Sequence, residues 1–129
     1  MPAQVHPVEL MESAVRDLEA IARFISRDAP ANARRVLERL ESKTDDLARF
    51  PERGRIVPEL ARFGIVEYRE VITRPYRVVY RLRGRHVQVL AVIDGRRQAE
   101  DLLFERMAFQ PPEPRPYDIP RKRDRRKKK

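Results

Sequence analysis

The chain has 129 residues, of which 41% are hydrophobic, enough for one domain with a single modest core. It contains no cysteine, which excludes disulfide scaffolds, thiolate zinc sites and cysteine nucleophiles. No run of about 18 apolar residues is present, and the N-terminus lacks the charged and apolar blocks of a signal peptide. These features predict a cytoplasmic protein with no membrane contact.

The net charge of +9 is distributed unevenly along the chain. The last nine residues, Arg121–Lys129, carry eight basic residues and one aspartate, a net +7, whereas residues 1–120 carry only +2. Within that body, Arg62–Arg97 holds nine arginines and three acidic residues, a net +6. Because arginine grips a phosphate through two N–H groups at once, this region is the candidate site for an acidic partner or a phosphate.

The N-terminal half of the sequence predicts a short strand followed by two helices. Pro7 lacks an N–H and therefore places the strand at a sheet edge. Apolar residues at helical spacing define both helices, with Ser13 as the N-cap of the first and Pro30 in the first turn of the second. The short connection makes the two helices a hairpin. The predicted strand covers 5–11, and the helices cover 14–27 and 31–49.

The C-terminal half predicts a polar loop, three strands and a last helix. The strands are rich in valine, isoleucine and tyrosine and are separated by short turns, as in an antiparallel meander. Five of the eleven prolines then fall within 111–120, ahead of the basic end, which predicts an extended and disordered tail. The chain therefore divides into a domain over 1–110 and a tail over 111–129. The loop covers 52–63, the strands 65–72, 76–82 and 87–93, and the helix 98–109.

The side chains of the middle strand alternate between two faces. Tyr76, Val78, Tyr80 and Leu82 point one way, and Arg77, Val79, Arg81 and Arg83 point the other. If the helical hairpin covers the tyrosine face, the arginines line an open concave face with Arg96 and Arg97 at its rim. The alternative is that these are ordinary exposed arginines on a half-solvated sheet.

Five short segments occur in an informative order and spacing. They are VEL with AVRDLEAI (8–10 and 14–21), LARFP with GR (47–51 and 54–55), VPEL (57–60) with Arg69, PYRVVYR (75–81) and VLAVIDGRR (89–97). Together they resemble the RelE/ParE superfamily of toxins from type II toxin–antitoxin systems, over residues 5–108. The resemblance implies an α+β fold, in which a helical hairpin packs on a small, mainly antiparallel sheet between an N-terminal strand and a short C-terminal helix.

The resemblance also implies growth arrest and a cognate acidic antitoxin that covers the basic face. RelE-like members cleave mRNA in the ribosomal A site, whereas ParE-like members inhibit DNA gyrase. Arg77 and Arg97 match phosphate-binding arginines of RelE-like members, and Arg81 joins them as a candidate for charge stabilisation. Candidates for contact with the antitoxin or the target are Arg69, Arg74, Arg83 and Arg96.

The chain departs from the cleaving pattern at several positions. Asp94 stands where many members carry a histidine, and Leu102–Phe104 where RelE-like members carry a catalytic tyrosine. Glu70 stands where those members use basic residues. Glu59 or Glu67 could act as a base, but the sequence favours a surface or strand-end carboxylate for each. The sequence therefore favours a ParE-like gyrase inhibitor, with a RelE-like endoribonuclease or a non-toxic nucleic-acid-binding module as alternatives.

No metal or cofactor site is predicted. His6 and His86, the two histidines, lie on different elements with no carboxylate or cysteine at ligand spacing. The four glycines are isolated and form no phosphate-binding loop. The basic end Arg121–Lys129 either contacts a polyanion weakly, in a salt-dependent way, or serves only as a solubilising end.

Overall fold

The computed structural model describes residues 5–95 and 99–108, and its α+β architecture confirms the predicted fold class. In chain order the elements are β1 (Val8–Leu10), α1 (Glu12–Ser26), α2 (Pro30–Asp46), β2 (Arg55–Ile56), α3 (Pro58–Ala61), β3 (Tyr68–Thr73), β4 (Tyr76–Arg83), β5 (His86–Asp94) and α4 (Ala99–Ala108). The predicted tail over 111–129 lies outside the described residues, so the division into domain and tail stays a prediction.

The five strands form one sheet in the order β1-β5-β4-β3-β2. β3, β4 and β5 make the predicted antiparallel meander, with Thr73 opposite Tyr76 at one turn. β1 lies at the edge, as Pro7 predicts, and runs parallel to β5. The carbonyl of Pro7 accepts a hydrogen bond from the Val87 N–H at 2.8 Å, so the missing proline donor is not needed for this pairing.

The helical hairpin of α1 and α2 packs on the tyrosine face of the sheet. Its buried stripe includes Ala14, Val36 and Leu40, which meet Val78 and Tyr80 of β4 in one core cluster. Burying each large aliphatic side chain of this kind contributes about 1.5–3 kcal/mol to folding. The periodicity of the two helices therefore predicted the correct packing surface.

The opposite face of the sheet is also covered, so the prediction of an open arginine face is wrong at its centre. Leu60 of α3 and Leu103 of α4 pack there against Val79 and Ile93. α3 lies inside the segment that composition marks as a loop; Pro58 opens this single turn and Leu60 is fully buried under it. The sheet is thus sandwiched between two layers of helix.

α1 begins one residue earlier than its predicted N-cap. Glu12 is the first helical residue, and Met11 occupies the N-cap position without a side-chain hydrogen bond. The predicted cap, Ser13, instead donates its hydroxyl to the carbonyl of Leu90 on β5 at 2.7 Å. The Ser13 side chain therefore bonds to the sheet and does not cap its own helix.

The start of α1 protects a stretch of sheet edge. β1 ends at Leu10, opposite Val89, and therefore leaves the following residues of β5 without a strand on that side. Asp17 fills part of this gap, because its Oδ2 accepts a hydrogen bond from the Val92 N–H at 2.8 Å. Arg106 of α4 reaches the same carboxylate, with nitrogen–oxygen distances of 2.7 and 3.0 Å. Asp17 therefore joins α1, β5 and α4.

None of the helices within the described ranges combines the length and apolar composition that crossing a bilayer requires.

Gly54 provides a test of how tightly the segment after α2 is held to the sheet. A Cβ at this position would lie 2.5 Å from the carbonyl oxygen of Glu70, and backbone cannot move aside cheaply. We expect Gly54→Ala to lower the free energy of unfolding by about 1–3 kcal/mol, measured by urea denaturation. Arg53→Ala is the control, since its ion pair with Asp46 is half-exposed and is worth about 0–1 kcal/mol. An unchanged stability for Gly54→Ala would contradict this close approach.

Candidate functional site

Arg77, the phosphate-binding candidate of β4, is buried and bound on every side-chain nitrogen. Only 7% of the residue is exposed. Its Nε donates to Oε1 of Glu70 at 2.7 Å, while Nη1 and Nη2 donate to the two oxygens of Glu59 at 3.0 and 2.6 Å. These charge-assisted bonds, led by the one to Glu59, raise the pKa of the Arg77 guanidinium above its usual value.

Glu70 connects Arg77 and Glu59 to a fourth charged residue, Arg55. It is 1% exposed, and its second oxygen, Oε2, accepts from Nε of Arg55 on β2 at 2.6 Å. β2 and β3 pair with Arg55 opposite Glu70, so the sheet register itself sets this contact. We call the four residues Glu59, Arg77, Glu70 and Arg55 the charge network. Its formal charge is zero, and each buried carboxylate oxygen in it faces a guanidinium.

The electrostatics of the charge network keep Glu59 ionised. Hydrogen bonding from Arg77 lowers the pKa of the Glu59 carboxyl below its ordinary value of 4.5, against an opposing effect of desolvation. A carboxylate with a lowered pKa accepts a proton poorly near neutral pH. Glu59 is therefore an ion-pair partner of Arg77. This geometry favours a structural carboxylate over a general base.

The segment between α2 and α3 is fastened to the sheet beside the network. The Tyr80 hydroxyl donates to the carbonyl of Pro51 at 2.7 Å and accepts from the Gly54 N–H at 3.0 Å. Burial raises the pKa of this hydroxyl, so it stays protonated. Arg69 donates to the Gly54 carbonyl at 2.8 Å from the other side.

Arg69 lies on a different face from Arg77. It stands directly opposite Tyr80 in the β3–β4 register, and opposed residues project to the same side of a sheet. Arg69 therefore lies on the sheet face that the helical hairpin covers, and its guanidinium donates to the Gly54 carbonyl. The structure does not bring this predicted contact residue together with Arg77 or Arg81.

The other predicted arginines are spread along β4 and beyond it. Arg81 shares the face of Arg77; its Nε donates to Gln88 at 3.1 Å, and its guanidinium lies 5.7 Å from the ring centre of Tyr68. Arg74 is exposed in the turn before β4, whereas Arg83 is half-buried at the far end of that strand. These two residues therefore belong to separate surfaces. Arg96 and Arg97 lie outside the described residues.

Two contacts were missed by reasoning from the sequence alone. Arg55 was seen only as part of the GR string, although its position opposite Glu70 completes the charge network. Asp17 was seen only as part of the AVRDLEAI string, although it binds Arg106 and a strand amide. Neither contact has a local signal, because the partners are 15 or more positions apart in sequence.

Metal ligands do not cluster in the described part of the chain, where no three histidine or acidic side chains converge as a metal ion would require. His6 bonds through Nδ1 to the carbonyl of Arg85 at 2.9 Å, and His86 lies on β5.

The sequence model of one family, described as the ParE toxin of the type II toxin–antitoxin system parDE, matches residues 8–99. The chain belongs to this family. It is therefore a type II toxin of the RelE/ParE superfamily, which confirms the resemblance seen in its five segments. The match ends before α4 is complete and does not include the proline-rich and basic end.

Two relatives extend the comparison of this ParE-family toxin. The first, named Toxin RelE2, from Caulobacter vibrioides, is 32% identical over 79 residues, covering 61% of this chain and 83% of the relative. The second, named Putative toxin Y4kP, from Sinorhizobium fredii, is 33% identical over 92 residues, covering 70% and 88%.

Solved structures share the fold at lower sequence identity. A chain from the chromosomal ParDE system of P. aeruginosa aligns with a TM-score of 0.59 and 18% identity, over 71% of this toxin and 98% of that chain. A chain from the toxin–antitoxin complex RelBE2 of Mycobacterium tuberculosis gives 0.51 and 24%, over 70% and 91%. The fold is thus common to proteins named for both branches of the superfamily.

The energetic role of Arg77 is tested by removing its charge. Arg77→Met leaves Glu70 buried with one cation fewer, so we expect a loss of about 3–5 kcal/mol in unfolding free energy by urea denaturation. The double variant Arg77→Met/Glu70→Met replaces this buried pair by apolar groups and should be more stable than the single variant. Arg74→Met, in the exposed turn, is the control for the substitution itself. A single variant as stable as this control would exclude a structural role for the network.

The lowered pKa of Glu59 predicts a pH-dependent contribution to stability. Its contribution is present above the ordinary carboxyl pKa of 4.5 and is lost as the pH falls through the lower value of the folded protein. We therefore expect the stability difference between the wild type and Glu59→Gln to be largest near neutral pH and to shrink below pH 4.5. Thermal melts between pH 3 and 7 measure it, with exposed Glu67→Gln as the control. A constant difference across this range would contradict the assignment.

Proposed function

We propose that this toxin arrests growth by binding and inhibiting DNA gyrase, without cleaving RNA. The observation that carries the proposal is the occupancy of Arg77. Three of the five N–H groups of Arg77, one on each nitrogen, already donate to carboxylate oxygens, so a phosphate that binds this arginine competes with Glu59 and Glu70. Glu70 is buried, and its carboxyl group lies between Arg77 and Arg55, so it occupies the space next to the guanidinium that a phosphate would need.

The proton-transfer groups of a nuclease also lack support in the described residues. Cleavage by attack of the 2′-hydroxyl needs a base and an acid as well as charge stabilisation. Arginine remains protonated and Glu59 is held as an anion by Arg77. Tyr80 has a raised pKa, and its hydroxyl donates to the Pro51 carbonyl and accepts from the Gly54 N–H. Where RelE-like members carry a tyrosine, Leu103 is buried in the core between α4 and the sheet.

The toxin acts, in this proposal, together with a cognate acidic antitoxin that blocks it. Two observations support the partner: membership in a family defined by toxin–antitoxin pairs, and the fold shared with chains from a ParDE system and a RelBE2 complex. We infer that candidate contacts to the antitoxin or to gyrase come from exposed or half-buried arginines, Arg74 and Arg83 among them, and from Arg96. Arg69 contributes less, since it binds the Gly54 carbonyl.

A ribosome-dependent endoribonuclease is the second candidate. The relative named Toxin RelE2, at 32% identity over 83% of its length, favours it. In that case Arg77, Arg81 and Arg97 would stabilise the phosphate, and the charge network would have to open when RNA binds. A non-toxic nucleic-acid-binding module, acting through the basic end Arg121–Lys129, is the remaining alternative and predicts no growth arrest at all.

Supercoiling by purified gyrase distinguishes these functions. We expect the toxin to inhibit supercoiling in a dose-dependent way, and we expect primer extension on translated mRNA to show no A-site cuts after induction. Arg97→Ala should still arrest growth, because in this proposal no phosphate is held there. Unaffected supercoiling together with A-site cuts that Arg97→Ala abolishes would replace the proposal by the endoribonuclease. Normal growth on expression would leave only the non-toxic module.

A further inference from the structure

We propose that the basic C-terminal end of this toxin, together with Tyr117 and Ile119 ahead of it, docks in a groove of its own helical hairpin. The groove lies between β1, α1 and α2, and we call it the hairpin groove. Its volume is about 480 Å³, enough for several side chains of a docked segment. This inference does not depend on whether the toxin acts on gyrase or on mRNA.

The hairpin groove is lined mainly by apolar residues. Val8, Leu18 and Leu37 line it and are only partly buried, beside the fully buried Leu40. Leu10, at the end of the edge strand, also lines it and is 38% exposed. Covering such surface with apolar side chains is favourable by about 25 cal/mol for each Å² removed from water.

Three exposed carboxylates accompany this apolar surface. Glu41 and Asp45 lie one helical turn apart on α2, and Glu19 lies on α1. Within the described residues none of the three forms an ion pair, and no lysine or arginine lines the groove. Carboxylates that lie near each other without a cation attract positive charge. The hairpin groove therefore complements a segment that carries both apolar and basic side chains.

The C-terminal segment of the chain has this composition. Its last nine residues include eight basic ones, and Tyr117 and Ile119 stand just ahead of them. Side chains alternate between the two sides of an extended segment. In that form Tyr117, Ile119, Arg121 and Arg123 share one side, which presents two apolar groups followed by two cations.

The described domain ends close to the hairpin groove. Arg106, in the last turn of α4, binds Asp17 of α1 at a nitrogen–oxygen distance of 2.7 Å. The next residue of α1, Leu18, lines the groove. A helix with its side chains is about 10–12 Å across. The nine positions from Ala108 to Tyr117 span up to about 28 Å when extended, so the segment can pass around α1 to the groove.

Charge favours the hairpin groove over the nearer groove between α1 and α4. That nearer groove is lined by three arginines, of which Asp17 binds one. A basic segment is repelled there, whereas the hairpin groove offers three carboxylates. The arginines are Arg23, Arg27 and Arg106.

Attachment to the same chain makes a weak contact sufficient. A segment joined to its site by a short linker has an effective concentration of the order of millimolar, so a contact too weak to form between separate molecules is occupied. Docking also withholds the cations of Arg121–Lys129 from a polyanion, which they would otherwise bind in a salt-dependent way.

A spin label in the C-terminal segment tests the docking in the full-length toxin. The chain has no cysteine, so Asp118→Cys creates a single labelling site, on the side of the extended segment opposite Tyr117 and Ile119. We expect the nitroxide to remove most of the amide ¹H–¹⁵N signal intensity in the groove, as at Leu18. The signal of Ile56 on β2, at the other edge of the sheet, should keep its intensity. Equal loss at both places, or loss at neither, would overturn the inference.

Charge removal in the groove tests the electrostatic part in the same labelled chain. Glu19→Gln/Glu41→Gln/Asp45→Gln should restore the groove signals, because the cations lose their partners. A matched triple variant at exposed carboxylates outside the groove should leave the loss of intensity unchanged. Groove signals that stay weak in the first variant, or return equally in both, would contradict the charge complementarity. The control variant is Glu38→Gln/Glu52→Gln/Glu67→Gln.

Substitutions in the segment itself test the apolar part. Tyr117→Ser/Ile119→Ser should also restore the groove signals, whereas Glu113→Ser/Arg115→Ser, nearer to α4 and outside the docking residues, should not. The opposite pattern would overturn the assignment of Tyr117 and Ile119.

A mixed sample separates the chain's own end from that of a second copy. Spin-labelled toxin without ¹⁵N is added to ¹⁵N toxin without the label, and we expect the groove signals of the ¹⁵N toxin to keep their intensity. Loss as strong as in the singly labelled chain would assign the groove to the C-terminal end of another molecule and overturn docking within one chain.

Discussion

The interaction on which the architecture of the site depends is the binding of one buried arginine by two carboxylates. Arg77 is buried on the sheet face that α3 and α4 cover, where an unpaired charge would cost several kcal/mol. Glu59 reaches it from α3 and Glu70 from β3. These three residues therefore hold α3 and β3 to β4, the strand next to β5. Arg55 completes the arrangement from β2.

This constraint also explains why such a short helix is stable. α3 has four residues, and a single turn gains little from its own hydrogen bonds. Leu60 is buried on its inner side, and Glu59 is tied to Arg77. The preceding segment is fastened through Gly54 to Tyr80 and Arg69. A phosphate at Arg77 would therefore disturb more than one side chain, which is the physical basis for favouring a non-cleaving toxin.

The sequence predicted elements whose signals are local. The helical stripes of α1 and α2, the position of Pro30 and the edge position implied by Pro7 are properties of single segments, and all of them are confirmed. The sequence did not predict β2 and α3, because segments of two and four residues are too short to show a periodic pattern. The prediction of Ser13 as an N-cap was wrong because its hydroxyl donates to the Leu90 carbonyl, a partner that only the fold brings near.

For the candidate site, too, the sequence predicted only the features that have a local signal. Strand alternation placed Arg77 and Arg81 on one face, but it could not reveal that Glu59, 18 positions away, would neutralise Arg77. It also could not assign Arg69 to the opposite face, which requires the β3–β4 register. A count of arginines along the sheet thus overstated the charge offered to a partner, because Arg77 is paired with two carboxylates and Arg69 with a backbone carbonyl.

We propose that Arg77, occupied by the carboxylates of Glu59 and Glu70, does not bind a phosphate. It is tested most directly by ¹⁵N NMR of the Arg77 Nε–H, assigned by its loss in Arg77→Lys, during titration with a short RNA that carries a 2′-deoxy substitution against cleavage. We expect this signal to stay in place and to exchange slowly with solvent, because Glu70 keeps its hydrogen bond at 2.7 Å. A signal that shifts and saturates with added RNA would show that phosphate displaces the carboxylates, and would contradict a non-cleaving role for Arg77.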